Sequence, residues 1–472
     1  MPVSIDQRPL YTQLPIGQQI MFSVSHNTIV ATKFKVKFIA KVYVSTYGIN
    51  ISSNSQLIGT FKTTPNNAGA GIFDFRPILE TFLTPDYEGS TYGMGSKYKG
   101  SDDTHPIHLI DKYALSEDSI RYFGVEFDIE YSDTATGAVI PPSSQSIAQG
   151  APSLSYLMFN GVLQYDDVLT LFQGNYGYFL GLASGNNFYL DNSAASFLTN
   201  SPTTQYARVT DYGTLPFLNF LPTDDDIVHN ITLTYYDDSD SQIGTETVAP
   251  SIFNGGASFA GGHAFTRLMY FGAFPGNLRN WSSDFKALVD AGNTPAYYTV
   301  FASAGGEPRS QTYTINILCP SGRGYEGIRL TWLNQWGTWD YYTLNMKSTR
   351  SITTQKIPYT QLGGTWNESR FKIAGYKGGK KNFRVNSTEK IKLNTDFVTE
   401  EEGVWFEELI NSNEVYIVNG YENDVADTIT NKYVEPVVLT TSSYVKKTIA
   451  NDKLMQYTFE IEKSKIKRTQ AV

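Results

Sequence analysis

Two of the five histidines lie close together and are the first candidates for metal binding. They are His105 and His108, in the segment Asp102-Asp103-Thr104-His105-Pro106-Ile107-His108, and Asp111 follows. Imidazole and carboxylate groups are common zinc ligands, but a strong zinc pattern has a second pair of ligands at a defined spacing. Pro106 favours an irregular loop between the histidines. The segment therefore predicts a solvated loop, with a metal site as the alternative, and no metal is expected.

Three glycines, Gly322, Gly324 and Gly327, match the spacing of a dinucleotide-binding loop. A predicted strand precedes them, but the fingerprint also needs a helix afterwards, whose N-terminus binds the pyrophosphate. The residues that follow, Ile328 to Trp332, alternate in polarity like a strand. We therefore predict a glycine loop without a nucleotide, and no cofactor.

Two aspartate-rich runs, 224–226 and 237–240, have the composition of calcium loops but lack the turn glycine and terminal glutamate of that register. Solvated turns are the prediction. No nucleophile elbow, zinc-protease helix or phosphate-binding loop is present in the sequence. We assign no catalytic residue and predict that the protein is not an enzyme. A carbohydrate-degrading enzyme that uses two of its 46 carboxylates is the remaining enzymatic alternative.

The aromatic tract from Trp332 to Tyr342 contains three of the six tryptophans, joined by a predicted turn at Gly337. One interpretation is a hairpin whose rings fill a core. The other is an exposed aromatic platform for sugar stacking or subunit docking. Under the second interpretation the interaction candidates are Trp336, Trp339 and Tyr341.

Composition limits the possible functions of the 472-residue chain. Hydrophobic residues at 41% and charged residues at 18% are typical of a globular protein, and 14% aromatic residues favour strands. The net charge of −9 argues against a nucleic-acid partner. With Cys319 alone, no intramolecular disulfide can form. No secretory signal or membrane-spanning run is evident, so we expect synthesis in the cytoplasm without membrane insertion.

Strand patterns are clearest in the first third. From Lys33 to Val44 the even-numbered positions are apolar while lysines occupy four odd ones, and 123–131 alternates apolar residues with carboxylates. These are strands with one buried face. We predict that the lysine and carboxylate faces pair across one sheet. Short helices are predicted at 76–82 and 282–291.

The C-terminal region contains the best-defined helix. Thr399 is a suitable N-cap, Glu402 completes a capping box, and the pairs Trp405/Leu409 and Phe406/Ile410 form an apolar stripe. The helix is expected to pack on the strands that follow. The basic end of the chain, Lys463 to Arg468, is read as a solvated tail or as a contact to an acidic neighbour.

The predicted fold is mainly β, with several antiparallel β-sandwich-like domains and a few short helices, the clearest in the C-terminal domain. The predicted division is an N-terminal β domain at 1–135, a linker or long loop at 136–155, a central β-rich region of one or two sandwiches at 156–365, and a C-terminal β domain with one short helix at 366–472.

Three stretches together are similar to virion structural proteins of tailed bacteriophages, particularly those associated with the tail or baseplate. They are residues 34–44 with 59–62, 64–67 and 71–79, residues 330–344, and the block from Leu393, including 443–448 and 451–462. The resemblance covers about a third of the chain and implies a role, not a reaction or a site residue.

The resemblance implies a structural subunit that forms a ring in the tail or baseplate, with copies of itself and other virion structural proteins as partners and the virion as its location. A neck or capsid-surface position is the second possibility. The functional alternative is a receptor- or glycan-binding fibre or a capsid decoration module, whose partner would be a host surface glycan.

Overall fold

The fold of this chain is mainly β, with several sheets and a few short helices, in agreement with the predicted fold class. The computed structural model describes residues 2–9, 13–46, 55–90, 104–116, 118–142, 151–152, 155–162, 190, 193–219, 230–248, 267–304, 307–318, 324–365, 368–419, 434–443, 445 and 455–468. The backbone forms two compact units, residues 1–318 with 333–340, and residues 319–332 with 341–472. The predicted boundaries near 135, 155 and 365 remain predictions.

The first half of the first unit contains two sheets that share a core. Their order is β1–β3–β6 and β2–β12–β10–β4–β5, with β11 beside β10, and β7 pairs with β8 separately. The strands are β1 (Ser4–Gln7), β2 (Gln13–Pro15), β3 (Met21–Ser25), β4 (Phe34–Ser45), β5 (Gln56–Thr63), β6 (Ala70–Asp74), β7 (Glu88–Ser90), β8 (Thr104–Pro106), β9 (Tyr113–Leu115), β10 (Ile120–Ser132), β11 (Ala151–Pro152) and β12 (Tyr156–Phe159). The helices here are α1 (Asn27–Thr32) and α2 (Arg76–Leu79), the latter followed by a 3₁₀ turn, Glu80–Phe82.

The two sheets pack as a β-sandwich through aromatic side chains. Phe22 of β3 lies 5.5 Å, ring centre to ring centre, from Phe127 of β10. Phe38 of β4 is also fully buried. The alternation predicted for β4 and β10 therefore selects the faces that meet in the core, as an aligned sandwich requires.

Lysines and carboxylates pair on the other face of this sheet, as predicted. Strands β4 and β10 are antiparallel with Lys41 opposite Glu126, and their side-chain charges are 3.4 Å apart. Lys62 of β5 reaches Glu130 at 2.6 Å. Such partly exposed pairs each contribute up to about 1 kcal/mol, so they specify register more than stability.

The second half of the first unit contains two further sheets, β13–β20–β18–β15–β16 with β19 beside β18, and β14–β17–β9. Most strand pairs are antiparallel, while β2–β12 and β13–β20 are parallel. The strands are β13 (Thr204–Arg208), β14 (Thr214–Asn219), β15 (Asn230–Tyr236), β16 (Gln242–Val248), β17 (Arg267–Gly272), β18 (Tyr297–Ala304), β19 (Glu307–Pro308) and β20 (Tyr313–Leu318). Helices α3 (Pro275–Trp281) and α4 (Ser283–Asp290) connect β17 to β18. The helix predicted at 282–291 is α4, with Ser282 as its N-cap.

The second unit is one sheet with a helix packed on it. The strand order is β22–β21–β25–β26–β27–β24–β23. The elements are β21 (Ile328–Leu333), β22 (Trp339–Leu344), β23 (Thr349–Gln361), β24 (Gly379–Asn394), α5 (Glu400–Asn411), β25 (Val415–Val418), β26 (Val434–Leu439) and β27 (Thr458–Lys463). Because β21 follows Gly324 and Gly327 directly, the absence of a dinucleotide-type helix after these glycines is confirmed, while Gly322 lies outside the described residues.

Helix α5 begins and packs as the sequence predicts. Thr399 accepts a hydrogen bond from the Glu402 amide at 3.2 Å, and Glu402 accepts one from the Thr399 amide at 2.8 Å. Phe406 packs on Phe459 of β27, a strand that follows the helix. Trp405 packs on Trp332 of β21, a strand that precedes it. The helix thus contacts the strand of this sheet that comes first in the sequence, β21, and the strand that comes last, β27. The contact with β21 is not evident from the local sequence pattern of the helix.

Replacing Thr399 with alanine should destabilise the second unit by about 1 kcal/mol, because the Glu402 amide loses its capping acceptor. Thr399→Ser keeps the hydroxyl and is the matched control, with an expected change several-fold smaller. Chemical denaturation followed by circular dichroism measures both. Equal losses in the two variants would contradict a capping role.

Candidate interaction ribbon

The histidine segment is not the solvated loop that the sequence predicts. His108 and Asp111 are buried, and Asn277 of α3 donates hydrogen bonds to the backbone oxygens of His108 at 3.1 Å and Ile110 at 2.8 Å. These tertiary hydrogen bonds satisfy the irregular backbone and allow it to enter the interior. The side chain of His105 lies outside the described residues. Within the described ranges, no group of three His, Cys, Asp or Glu side chains is placed to hold a metal ion.

The aspartate run at 237–240 forms a turn between β15 and β16. Asp237 Oδ1 accepts hydrogen bonds from the amides of Ser239 and Ser241, each at 2.9 Å. This side chain therefore orders its own turn. Its predicted role as a turn is confirmed, and the run at 224–226 lies outside the described residues.

Trp336, Trp339 and Tyr341 are all buried in the protein. In the first unit, Trp336 Nε1 donates to Asn200 Oδ1 at 3.3 Å, and Trp339 Nε1 donates to the backbone oxygen of Asp86 at 2.8 Å. In the second unit, the guanidinium of Arg329 lies 5.3 Å from the centre of the Tyr341 ring. The rings fill the interior, so they do not provide an exposed platform for a sugar. Their part in any interaction stays a prediction.

A carboxylate, a serine and a tyrosine meet where β15, β16 and α4 adjoin, a cluster that the sequence analysis missed. Ser282 Oγ donates to Glu246 and accepts from the Phe285 amide at 2.9 Å, while Tyr235 Oη donates to Glu246 at 3.2 Å. Burial raises the pKa of Glu246, and the Ser282 hydrogen bond opposes this effect. Since Ser282 caps the helix, the cluster has a structural role.

Glu246 should make stability depend on pH. Its pKa is higher in the folded protein than the ordinary value of 4.5, so folding favours the protonated carboxyl. The stabilising contribution of the Glu246 carboxyl group is complete below pH 4.5, its ordinary pKa. This contribution declines as the pH rises through the higher pKa of the folded protein. The free energy of unfolding of wild type relative to Glu246→Gln should therefore fall as pH rises across this window. Urea titrations of both proteins at pH values on either side of it measure the difference, and a pH-independent difference would contradict the prediction.

The most distinctive surface lies on the edge of the second unit's sheet. We use "ribbon" for β23, β24 and the residues between them, 349–394. Strand β23 pairs with β24 along its whole length, whereas β24 pairs with β27 only at residues 390–394. Among the described residues, no strand pairs with the outer side of β23 or with residues 379–385 of β24 on the side away from β23. The outer part is therefore a two-stranded extension of the sheet.

The ribbon exposes large apolar side chains on its strands and at its end. Ile373 is 89% exposed and Tyr376 is 78% exposed. The other exposed members are Ile352, Ile357, Tyr359, Leu362, Phe371, Phe383 and Val385. Single exposed apolar residues are ordinary, but a concentration of them along one element marks an interaction surface.

The ribbon is also strongly basic. Residues 349–394 include ten Lys and Arg and two Glu, a net charge of +8, whereas the whole chain carries −9. Arg350, near the base of the ribbon, is paired with Glu326 at 2.7 Å and Glu389 at 3.3 Å. Farther out, six basic residues of the ribbon have no carboxylate of the described residues within 4.0 Å of their charged nitrogens. These are Lys356, Arg370, Lys377, Lys380, Lys381 and Arg384.

Glycines shape the end of the ribbon. Gly364, Gly378 and Gly379 have positive φ angles of 71°, 97° and 79°. The Thr365 amide donates to the Lys372 backbone oxygen at 2.9 Å, and the Lys372 amide donates to Thr365 Oγ1 at 2.9 Å. These hydrogen bonds join Thr365 to Lys372, and the side chains of Phe371 and Ile373 next to them are exposed to solvent.

From the sequence we predicted only the C-terminal basic cluster, and the positive charge of the ribbon was missed. Lys467 and Ser387 of β24 exchange backbone hydrogen bonds, and Arg468 donates to Asn386 at 2.7 Å. The predicted solvated tail is therefore attached to the ribbon over these residues. Counting charge in windows would have found the excess of Lys and Arg at 350–392, but the exposure of its apolar residues depends on the pairing of β23 and β24.

No protein-family model matches the sequence, and no curated protein matches it significantly. In the part of the chain that the structure describes, no helix is long and apolar enough to span a membrane.

Proposed function

We propose that this protein is a structural subunit of a tailed-phage virion that forms a ring in the tail or baseplate. The observation that supports the proposal most is the ribbon, which combines exposed apolar side chains with uncompensated positive charge. Surfaces of this kind are buried when subunits assemble. The three sequence stretches that resemble phage tail or baseplate proteins supply the virion context.

A ring needs each subunit to present two different surfaces, because a head-to-tail contact repeats until the rotation closes. A stable contact of this kind buries about 800 Å² on each partner. The ribbon is long enough to contribute one such surface, since β23 and β24 pair over 13 positions.

The experiment that tests this proposal is a measurement of the protein's location and copy number. Quantitative mass spectrometry of particles of a phage whose genome encodes the chain should find the chain at a fixed copy number. Cryo-electron microscopy of these particles should place the chain in a ring. The purified chain should also form rings. A strictly monomeric protein that is absent from particles would overturn the proposal.

Glycan binding is the alternative function, and Trp336 and Trp339 were its candidate residues. Since both are buried, a glycan would need another surface. Binding of labelled protein to a glycan array or to host cells tests this alternative independently of assembly.

A further inference from the structure

We propose that the ribbon of one copy binds the exposed face of helix α5 on a second copy. This inference rests on the proposed assembly function and identifies the two surfaces that would join successive subunits. It makes the partner of the ribbon another molecule of this chain.

The ribbon brings apolar area and positive charge to this contact. Its outer cations are close to its most exposed apolar residues in sequence, as with Lys377 beside Tyr376 and Lys372 beside Ile373. Strand addition to its edge is disfavoured, because Pro358 offers no amide donor and lysines oppose edge pairing. Docking through side chains is the mode that this composition favours.

The exposed face of α5 has matching chemistry. Phe397, just before the helix, is 55% exposed, and Val404 is 52% exposed. Glu400 lies four residues and Glu401 three residues before Val404, which places these exposed carboxylates on the same helix face as the valine. This helix face therefore combines exposed Val404 with negative charge, and Phe397 is exposed just before the helix, so their chemistry complements that of the ribbon.

Net charge also favours another copy of the chain as the partner. The residues outside the ribbon include 27 Lys and Arg and 44 Asp and Glu, a net charge of −17 against +8 on the ribbon. Both surfaces are exposed in the structure, so the ribbon does not cover the helix face of its own chain. Because the two surfaces differ, successive copies can join head to tail, and a contact of this kind can close into a ring.

A nucleic acid is the competing partner for a basic ribbon. Phosphate recognition uses Lys, Arg and polar donors. Besides its cations, the ribbon exposes the aliphatic side chains of Leu362, Ile373 and Ile352, each by 65% or more. Aliphatic side chains of this kind favour a protein surface, and nucleic-acid binding becomes an outcome of the test.

The test is a charge exchange between the two surfaces, measured by sedimentation velocity and native mass spectrometry of the full chain. The ribbon variant is Lys377→Glu/Lys380→Glu/Lys381→Glu, and the helix variant is Glu400→Lys/Glu401→Lys. Each alone should weaken self-association at least tenfold. Mixing the two variants, or combining them in one chain, should restore association, because opposite charges then face each other again. Wild-type association should weaken as salt increases.

Matched controls separate docking from folding. Lys286→Glu changes an exposed lysine on α4 and should leave association unchanged. Because lysines at a helix N-terminus oppose the helix dipole, circular dichroism must show that the helix variant is folded. Val404→Glu and Ile373→Asp target the apolar part of each surface without touching the capping residues, and each should also weaken association.

The proposal is overturned if the wild-type chain stays monomeric, if the charge exchange fails to restore association in folded proteins, or if the ribbon variant loses binding to duplex DNA while self-association is unchanged. Measurements on virus particles distinguish a failure of this inference from a failure of the proposed function. Normal incorporation of the ribbon variant into a virion ring would reject the ribbon contact and keep the function. Restored association of a chain that is absent from particles would reject the function and keep the contact.

Discussion

Gly337→Ala should destabilise the first unit by roughly 3–5 kcal/mol, one of the largest effects expected of a single methyl group in this protein. Gly337 has a φ angle of 74°, and a β-carbon there would overlap the backbone oxygen of Asn160. The backbone at 160–162 is itself held in place, since the Val162 amide donates to the Gln335 oxygen at 2.7 Å. Neither segment can move without losing hydrogen bonds.

Gly292→Ala is the matched control, because Gly292 has nearly the same φ angle, 75°, and no heavy atom of the described residues, other than its own neighbours in the chain and helix, lies within 4 Å of the position that a β-carbon would occupy there. Its cost should be limited to backbone strain, about 1 kcal/mol. Urea denaturation of both variants measures the difference. Equal costs would show that strain, and not the overlap with Asn160, determines the effect.

Trp405→Ala should destabilise the second unit by about 3–5 kcal/mol, because it removes a large buried side chain and leaves a cavity. The Trp405 ring lies 4.9 Å from the Trp332 ring and 5.7 Å from the Phe406 ring, centre to centre. The contact with Trp332 joins α5 to β21, so its loss weakens the attachment of the helix to the sheet.

The neighbouring Val404→Ala is its control. Val404 is exposed on the same helix, and its truncation should change stability by less than about 0.5 kcal/mol. Thermal unfolding monitored by far-ultraviolet circular dichroism distinguishes the two variants. Similar losses would contradict the packing of α5 on β21 through Trp405.

The ribbon illustrates how a surface can combine binding capacity with control of unwanted association. An exposed, apolar strand edge invites aggregation, and lysines and proline on the edge oppose it. The ribbon has both features in β23 and β24, with Lys356 and Pro358 close to Ile357. A partner with negative charge would remove the repulsion between copies of the ribbon while covering its apolar area.

Local sequence determined the elements whose stabilising interactions are short in range. The capping box of Thr399 and Glu402 closes over three residues, so its pattern is complete within one turn of helix. The alternation of β4 and β10 likewise records which face of each strand is buried. The lysine and carboxylate pairing across these strands followed from charge complementarity, and the ion pair between Lys41 and Glu126 confirms it.

Tertiary structure decided the placement of residues whose environment comes from distant parts of the chain. His108 is buried because Asn277, 169 residues away, satisfies its backbone oxygen. Trp339 is buried because the backbone of Asp86, 253 residues away, accepts its indole hydrogen bond. In the ribbon, the residue types were visible in the sequence, but Ile373 and Tyr376 are exposed only because β23 and β24 pair with each other beyond the edge of the sheet. Burial depends on which segments meet in space, and no local pattern contains that information.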